Sequence, residues 1–195
     1  MGGTQARLTL ASSSPQRRAI LEQLAIAYDV VAPRYVEEDA PGIAASDLVR
    51  AYAEGKARSV HQDGRVTLGV DTAVVLDGRV YGKPGDRVEA ARMLHELSGR
   101  THTVVSGLCL LGAGDDLLVH ALTDVTFRAL RDDAIAGYVA SGEWEERAGA
   151  YAIQGLGGRL VERIDGDYLN VVGLPGALLV SLLEEHAPNL LQTPR

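Results

Sequence analysis

Ser12-Ser13-Ser14-Pro15-Gln16-Arg17-Arg18 lies between a strand-like run, Arg7-Leu8-Thr9-Leu10-Ala11, and an amphipathic helical pattern, Ala19-Ile20-Leu21 to Leu24. Small hydroxyl residues at a strand-to-helix turn, with proline at the first helical position, leave several backbone N–H groups free. The positive end of the helix dipole points at the same spot, and two arginines fall in the first turn. That chemistry suits a phosphate. The segment also reads as an ordinary N-cap flanked by solvated arginines, so it needs partners elsewhere in the chain.

Working outward, strands and helices alternate through the first half. The strand at residues 7–11 leads to a helix at 15–24 and a strand at 28–32. A second helix is expected to open with Ser46 as N-cap and Asp47 in its first turn, and to run to about Ser59. Residues 66–70 and 73–76 form an apolar run, returned through Val80-Tyr81 by an Asp77-Gly78 hairpin turn. Val88, Ala91, Leu94 and Leu97 recur every three residues, marking a helix closed by Ser98-Gly99.

The second half changes character. Residues 101–111 and 118–130 read as two long strands joined by Gly112-Ala113-Gly114-Asp115-Asp116. A helix at 132–140, a glycine-rich stretch at 149–158, a strand at 160–164 and a helix at 175–186 follow, and the chain past Ala187 reads as a frayed tail. The alternation followed by long hairpins predicts an α/β fold with a mixed, elongated and twisted sheet in two lobes, all within one domain.

At 195 residues the chain can bury a proper core, and 46% hydrophobic with 23% charged residues matches a soluble globular protein. A net charge of −7 opposes nonspecific binding to a nucleic acid polymer or an anionic membrane, while leaving room for a local basic pocket. The lone Cys109 cannot form an internal disulfide, which fits a reducing cytoplasm. No apolar run approaches the ~18 residues a membrane span needs. Met1-Gly2 lacks the Ser or Thr that acylation requires at position 6, which is Ala6.

Gly69-Val70-Asp71-Thr72 places a carboxylate inside an apolar strand, where a charge is costly unless paired, hydrogen-bonded or coordinating metal. Asp71 is therefore a catalytic candidate, although a strand-end aspartate capping a turn has the same local sequence. Gly82-Lys83-Pro84 adds a cation that the hairpin returns towards Asp71. Lys56 sits late in the second helix, where a lone lysine ordinarily snorkels to solvent, and Glu37 and Glu38 lie in a polar loop. Gln154, in Ala150-Tyr151-Ala152-Ile153-Gln154-Gly155, offers one amide to a ligand's polar edge. Glu143, Glu145 and Glu146 read either as a metal cluster or as a solvated patch. P-loop, dinucleotide, zincin and serine-hydrolase spacings are absent.

Taken together, residues 8–185 resemble the Maf family of nucleoside triphosphate pyrophosphatases, with a Maf/ITPase-like fold. The carriers, in family order, are L-A-S-S-S-P-Q-R-R, the Glu37 loop, E-G-K-A around Lys56, G-V-D-T, Y-G-K-P, L-S-G-R-T-H, D-V-T-F-R, Y-V-A-S-G-E, A-G-A-Y-A-I-Q-G and V-V-G-L-P. The resemblance implies a central cleft between two lobes, a homodimer, and hydrolysis of the α–β phosphate bond of a nucleoside triphosphate with Mg2+ or Mn2+. It implies Asp71 as the proton acceptor, with Glu37 beside it and both as metal ligands, and Ser12, Ser14, Arg17, Lys56 and Lys83 as phosphate ligands. In the dTTP/UTP branch the specificity positions resemble Arg, Thr and Gln; here Thr72 and Gln154 match, while Gln16 departs and Arg18 follows as a candidate replacement for its charge. Two other readings stand beside this one. Leu68-Gly69-Val70-Asp71-Thr72-Ala73 resembles the D-[ST]-[GA] strand of dimeric aspartic proteases, which are all-β, against the five helical patterns here. A nucleotide-binding regulator of cell division with little turnover is the other.

Overall fold

The computed structural model describes residues 7–38 and 42–191; the acylation segment at residues 1–6 and the end of the tail lie outside the described residues. Strand β1 (Leu8–Ala11) enters α1 (Pro15–Gln23) through a turn in which Ser14 is the N-cap, its hydroxyl accepting from Arg17 N at 3.4 Å, and Pro15 is the first helical residue. Next come β2 (Tyr28–Val30), α2 (Ala45–Arg58), β3 (Thr67–Leu76) and β4 (Arg79–Tyr81). The β3–β4 hairpin turns on Asp77 and Gly78, both at positive φ, 51° and 77°. The rest is α3 (Arg87–Leu97), β5 (Thr101–Leu111), β6 (Leu117–Phe127), α4 (Asp132–Ser141), β7 (Val161–Asp165), α5 (Tyr168–Val172) and α6 (Gly176–His186), with short 3-10 turns between α4 and β7.

The seven strands form one mixed sheet in the order β2-β1-β3-β5-β6-β7, with β4 also on β3. Both β1 and β4 lie on the edge of β3 that faces away from β5. Parallel β1 covers that edge from Thr67 to Gly69, and antiparallel β4 covers it from Val74 to Leu76. Residues 70–73 are left without a neighbour there, while β5 pairs the other edge continuously from Thr67 to Val75. β1 runs into this gap and exits as Ser12; β4 runs into it from the opposite end and exits as Gly82-Lys83.

Alternation along β3 divides the interior. On one face Leu68 and Val70 join a core with Leu8, Leu10, Leu108, Leu110 and α6, while Val74 and Leu76 join a second core with Leu94, Leu97, Phe127 and Trp144. Between them Thr72 and Ser106 pair through their hydroxyls at 2.9 Å. The opposite face packs on α2, with Ala53 and Ala57 against Cys109 and Leu111. Two cores flanking one polar strip account for the two lobes expected from the sequence.

Several element limits differ from expectation. Helix α2 starts at Ala45 with Ala44 as its cap, so Ser46 lies inside the helix; Asp47 does fall in the first turn, against the helix dipole. Strand β6 stops at Phe127, because Arg128 N turns to Leu160 O and Leu130 N to the Ser98 hydroxyl. The tail is not frayed up to Leu190: residues Pro188–Leu190 form a 3-10 turn, and buried Leu190 joins the first core.

Candidate active site

The gap on β3 opens into a cleft of about 1170 Å³, whose walls include every site residue expected from the sequence: Ser12, Ser14, Gln16, Arg17, Glu37, Lys56, Asp71, Thr72, Lys83 and Gln154. Asp71 stands opposite Gly107 on β5, on the face covered by α2. Two glycines let that helix come close. A Cβ at Gly69 would overlap Ala53 O, and one at Gly107 would overlap Val49 O. Gly55 on α2 admits the ring of Tyr35 in the same way, seating the loop that carries Glu37. Lys56 Nζ thereby reaches Asp71 Oδ1 at 2.5 Å and Glu37 Oε1 at 2.6 Å. The side chains of Lys56 and Asp71 are only 12% and 15% exposed, so this lysine does not snorkel. Asp71 is likewise mid-strand and caps no turn.

Arg17 crosses the other side of the gap. Its Nε donates to Gly173 O at 2.9 Å, one terminal nitrogen to the Ser12 hydroxyl at 3.1 Å, and the other to Thr72 Oγ1 at 3.4 Å. Burial lowers the guanidinium's pKa from its ordinary value, opposed by the charges of Asp71 and Glu37, but an arginine so paired stays protonated. Three of its five N–H groups are used, leaving two for a ligand. The Ser12 hydroxyl also accepts from Ser14 N at 3.2 Å, and the Ser14 hydroxyl donates to Gln16 Oε1 at 3.1 Å. Arg18 is exposed and sits near Tyr28, off the cleft wall, so it does not replace the charge missing at Gln16.

Lys83 pairs with Glu146 at 2.6 Å on an open rim, the two side chains 62% and 80% exposed. Such a pair is weak and easily exchanged for a phosphate. Glu143 accepts from the backbone N–H groups of Leu156 and Gly157, and Glu145 is exposed, so the three glutamates do not converge on a metal. Among the described residues no group of three or more His, Cys, Asp or Glu side chains could hold an ion. Asp71 and Glu37 supply two carboxylates on one cation, Lys56, a donor set whose oxygens fit a hard divalent ion that needs only one or two protein carboxylates.

Sequence reasoning missed Arg147, which lines the same cleft with a buried Nε that finds no partner among the described residues. Its neighbours Glu146 and Ala148 gave no periodic signal to mark it. Cys109 is buried in the α2 core with its thiol pushed up to about 12, by burial first, and is a packing residue.

A mixed sheet opened at one edge, with Arg17, Lys56, Lys83 and Arg147 set among the carboxylates of Glu37, Asp71, Glu143 and Glu146, defines an α/β protein with a charged cleft. Residues 7–186 match the family model described as Maf-like protein, and the chain belongs to the Maf family. A dTTP/UTP pyrophosphatase of Gloeobacter violaceus is 46% identical over 181 residues, spanning 92% of this chain and 95% of the relative. Another so named, from Symbiobacterium thermophilum, is 44% identical over 181 residues, spanning 92% and 93%. A HAM1 protein of Coxiella burnetii shares the fold at a TM-score of 0.50 and 16% identity, over 92% of this chain and 99% of that one. No described helix is long and apolar enough to cross a membrane.

Proposed function

We propose that this chain hydrolyses the α–β phosphoanhydride of nucleoside triphosphates, dTTP and UTP foremost, to a nucleoside monophosphate and pyrophosphate, clearing the cytoplasmic nucleotide pool. The observation that carries the reading is the 2.5 Å contact between Lys56 and Asp71 at the centre of a cleft also lined by Arg17, Lys83, Thr72 and Gln154. The names carried by close relatives support the same reaction.

Asp71 accepts the proton of the attacking water, a role worth about 10²–10⁴-fold in rate. Lys56 holds that carboxylate in place and sets a positive charge where the anhydride breaks. The free N–H groups of Arg17, the serines of the α1 turn and Lys83, released from Glu146, neutralise charge growing on the departing pyrophosphate. Asp71 and Glu37 would hold Mg2+ or Mn2+, which supplies further neutralisation of the phosphate oxygens. Thr72, Gln154 and Gln16 line the same cleft as the base-selecting positions.

The test is incubation with a panel of nucleoside triphosphates and magnesium or manganese, resolving products by chromatography. Monophosphate plus pyrophosphate supports the reading. Diphosphate plus phosphate, or no turnover across the panel, overturns it.

A further inference from the structure

Gln154 is exposed on the cleft wall, and its amide makes no hydrogen bond to any described residue. The backbone is therefore the part of Gln154 that the fold fixes, and it sets where the amide can reach. That backbone caps a 3-10 turn, Gly155–Arg159, and contributes no side-chain cap of its own. The unsatisfied N–H groups at the head of the turn are met from another element. Glu143 accepts from Leu156 N at 2.9 and 3.1 Å with its two oxygens, and from Gly157 N at 3.2 Å.

Glu143 is itself anchored. Helix α4 ends at Gly142 in the left-handed region, φ 77°, Glu143 N donates to the Ser141 hydroxyl at 3.2 Å, and the neighbouring Trp144 is buried with its indole N–H on Val139 O. Gly155 also sits at positive φ, 73°, and a Cβ there would come within 2.8 Å of Glu143 Oε1. A side chain at position 155 would push the carboxylate aside and strain a backbone held in the left-handed region. On the other side of Gln154, Ala152 N donates to the Tyr138 hydroxyl at 3.0 Å.

We propose that Glu143 is a positioning residue for base selection: its carboxylate clamps the turn that aims Gln154 at the nucleobase, and it acts neither as a metal ligand nor on the phosphates. The inference rests on the nucleotide reading above. Charge-assisted bonds to backbone N–H groups are the stronger kind, so losing them frees the turn. A reader misplaced by about 1 Å loses discrimination on the order of tenfold or more.

Steady-state kinetics with UTP and GTP, alongside melting temperatures, test this in Glu143→Ala, Glu143→Gln, Gly155→Ala and the double variant, with exposed Glu145→Gln as control. Glu143→Ala should lower the UTP-over-GTP ratio of kcat/KM by about tenfold, mainly through a higher KM for UTP. Glu143→Gln, which keeps an acceptor oxygen, should recover most of the ratio. Gly155→Ala should reproduce the loss, and the double variant should be no worse than either single one. Glu145→Gln should match the wild type. A ratio within twofold of wild type in both Glu143→Ala and Gly155→Ala overturns the proposal, as does a lower melting temperature with unchanged selectivity. If Glu143→Ala does not fold, Gly155→Ala and Glu143→Gln decide alone. Absence of turnover in the wild type defeats the functional reading instead, which separates the two failures.

Discussion

Gly69→Ala tests how the site is assembled, because it changes no residue that meets substrate. The added methyl would fall on Ala53 O and lie 2.9 Å from both Ala57 N and Ala57 Cβ. Non-bonded carbon contacts settle at about 3.5–4.0 Å, so α2 must retreat by roughly 1 Å from β3. Ala53 and Ala57 bracket Lys56 on that helix, and the retreat lengthens its 2.5 Å contact with Asp71 beyond hydrogen-bond reach. Overpacking of this kind costs about 1–3 kcal/mol, and misplacing a catalytic pair by that distance costs about 10²-fold in rate. Urea denaturation and pyrophosphate release under saturating nucleotide measure the two effects. Gly137→Ala is the matched control: its methyl meets nothing within 4 Å on an exposed turn of α4, and it should be neutral or slightly stabilising. Wild-type turnover in Gly69→Ala, with a folded protein, would refute the claim that close helix approach sets the pair.

Three further outcomes follow from the geometry. Asp71→Asn should keep the fold and nucleotide binding while lowering turnover by about 10²–10⁴-fold, since the amide cannot take the proton of water; binding titration beside pyrophosphate release checks it. Arg17→Ala should lose about 1–3 kcal/mol in urea denaturation, by removing three charge-assisted hydrogen bonds to Gly173 O and the Ser12 and Thr72 hydroxyls, each of which keeps one other partner, whereas Lys83→Ala should leave stability unchanged and raise KM. Burial, only weakly opposed by Asp124, pushes the pKa of His102 down to about 4, and an unfolded histidine titrates near 6.5, so the unfolded chain binds a proton that the folded chain excludes between those values. Its contribution is complete above about pH 6.5, falls as the pH drops, levels off below about 4, and amounts to ~3 kcal/mol at most; denaturation of wild type and His102→Gln at pH 7.5 and 4.5 should show a flatter dependence in the variant.

What could be read from the chain was what short-range chemistry determines. The serine-proline turn fixes the head of α1, Asp77-Gly78 fixes the hairpin, and Asp71 betrays itself as a charge in an apolar strand. Lys56 carried no such mark. Its partner is chosen by the approach of α2 to β3, permitted by Gly69 and Gly107 some distance away in sequence, and no local pattern encodes that. The start of α2 escapes the local pattern for a related reason: Ser46 is a better capping residue than Ala44, but the approach to the sheet is set by the packing of Val49, Ala53 and Ala57, and the helix begins where that packing lets it. Arg147 and the Glu143 clamp are equally tertiary, formed when the glycine-rich stretch folds back on the end of α4.

The gap along β3 explains why Asp71 and Thr72, on opposite faces of one strand, serve the same cleft: an unpaired edge is the one place where both faces are reached from one side. Hydrogen bonding within the cleft ranks the three positions proposed to select the base. The Thr72 hydroxyl is already engaged by Ser106, Arg17 and Gly173 O. Gln16 has its amide oxygen held by Ser14 and offers only its NH2 group, without the positive charge that the dTTP/UTP branch pattern has there. Hydrogen bonds from a charged donor are roughly twice as strong as neutral ones, so on the proposed reading the glutamine at position 16 shifts discrimination towards Gln154, whose amide bonds to no described residue. On the proposed reading, base selection through that amide depends on whatever holds the backbone beneath it, and the bonds from Leu156 N and Gly157 N to the Glu143 carboxylate provide that hold.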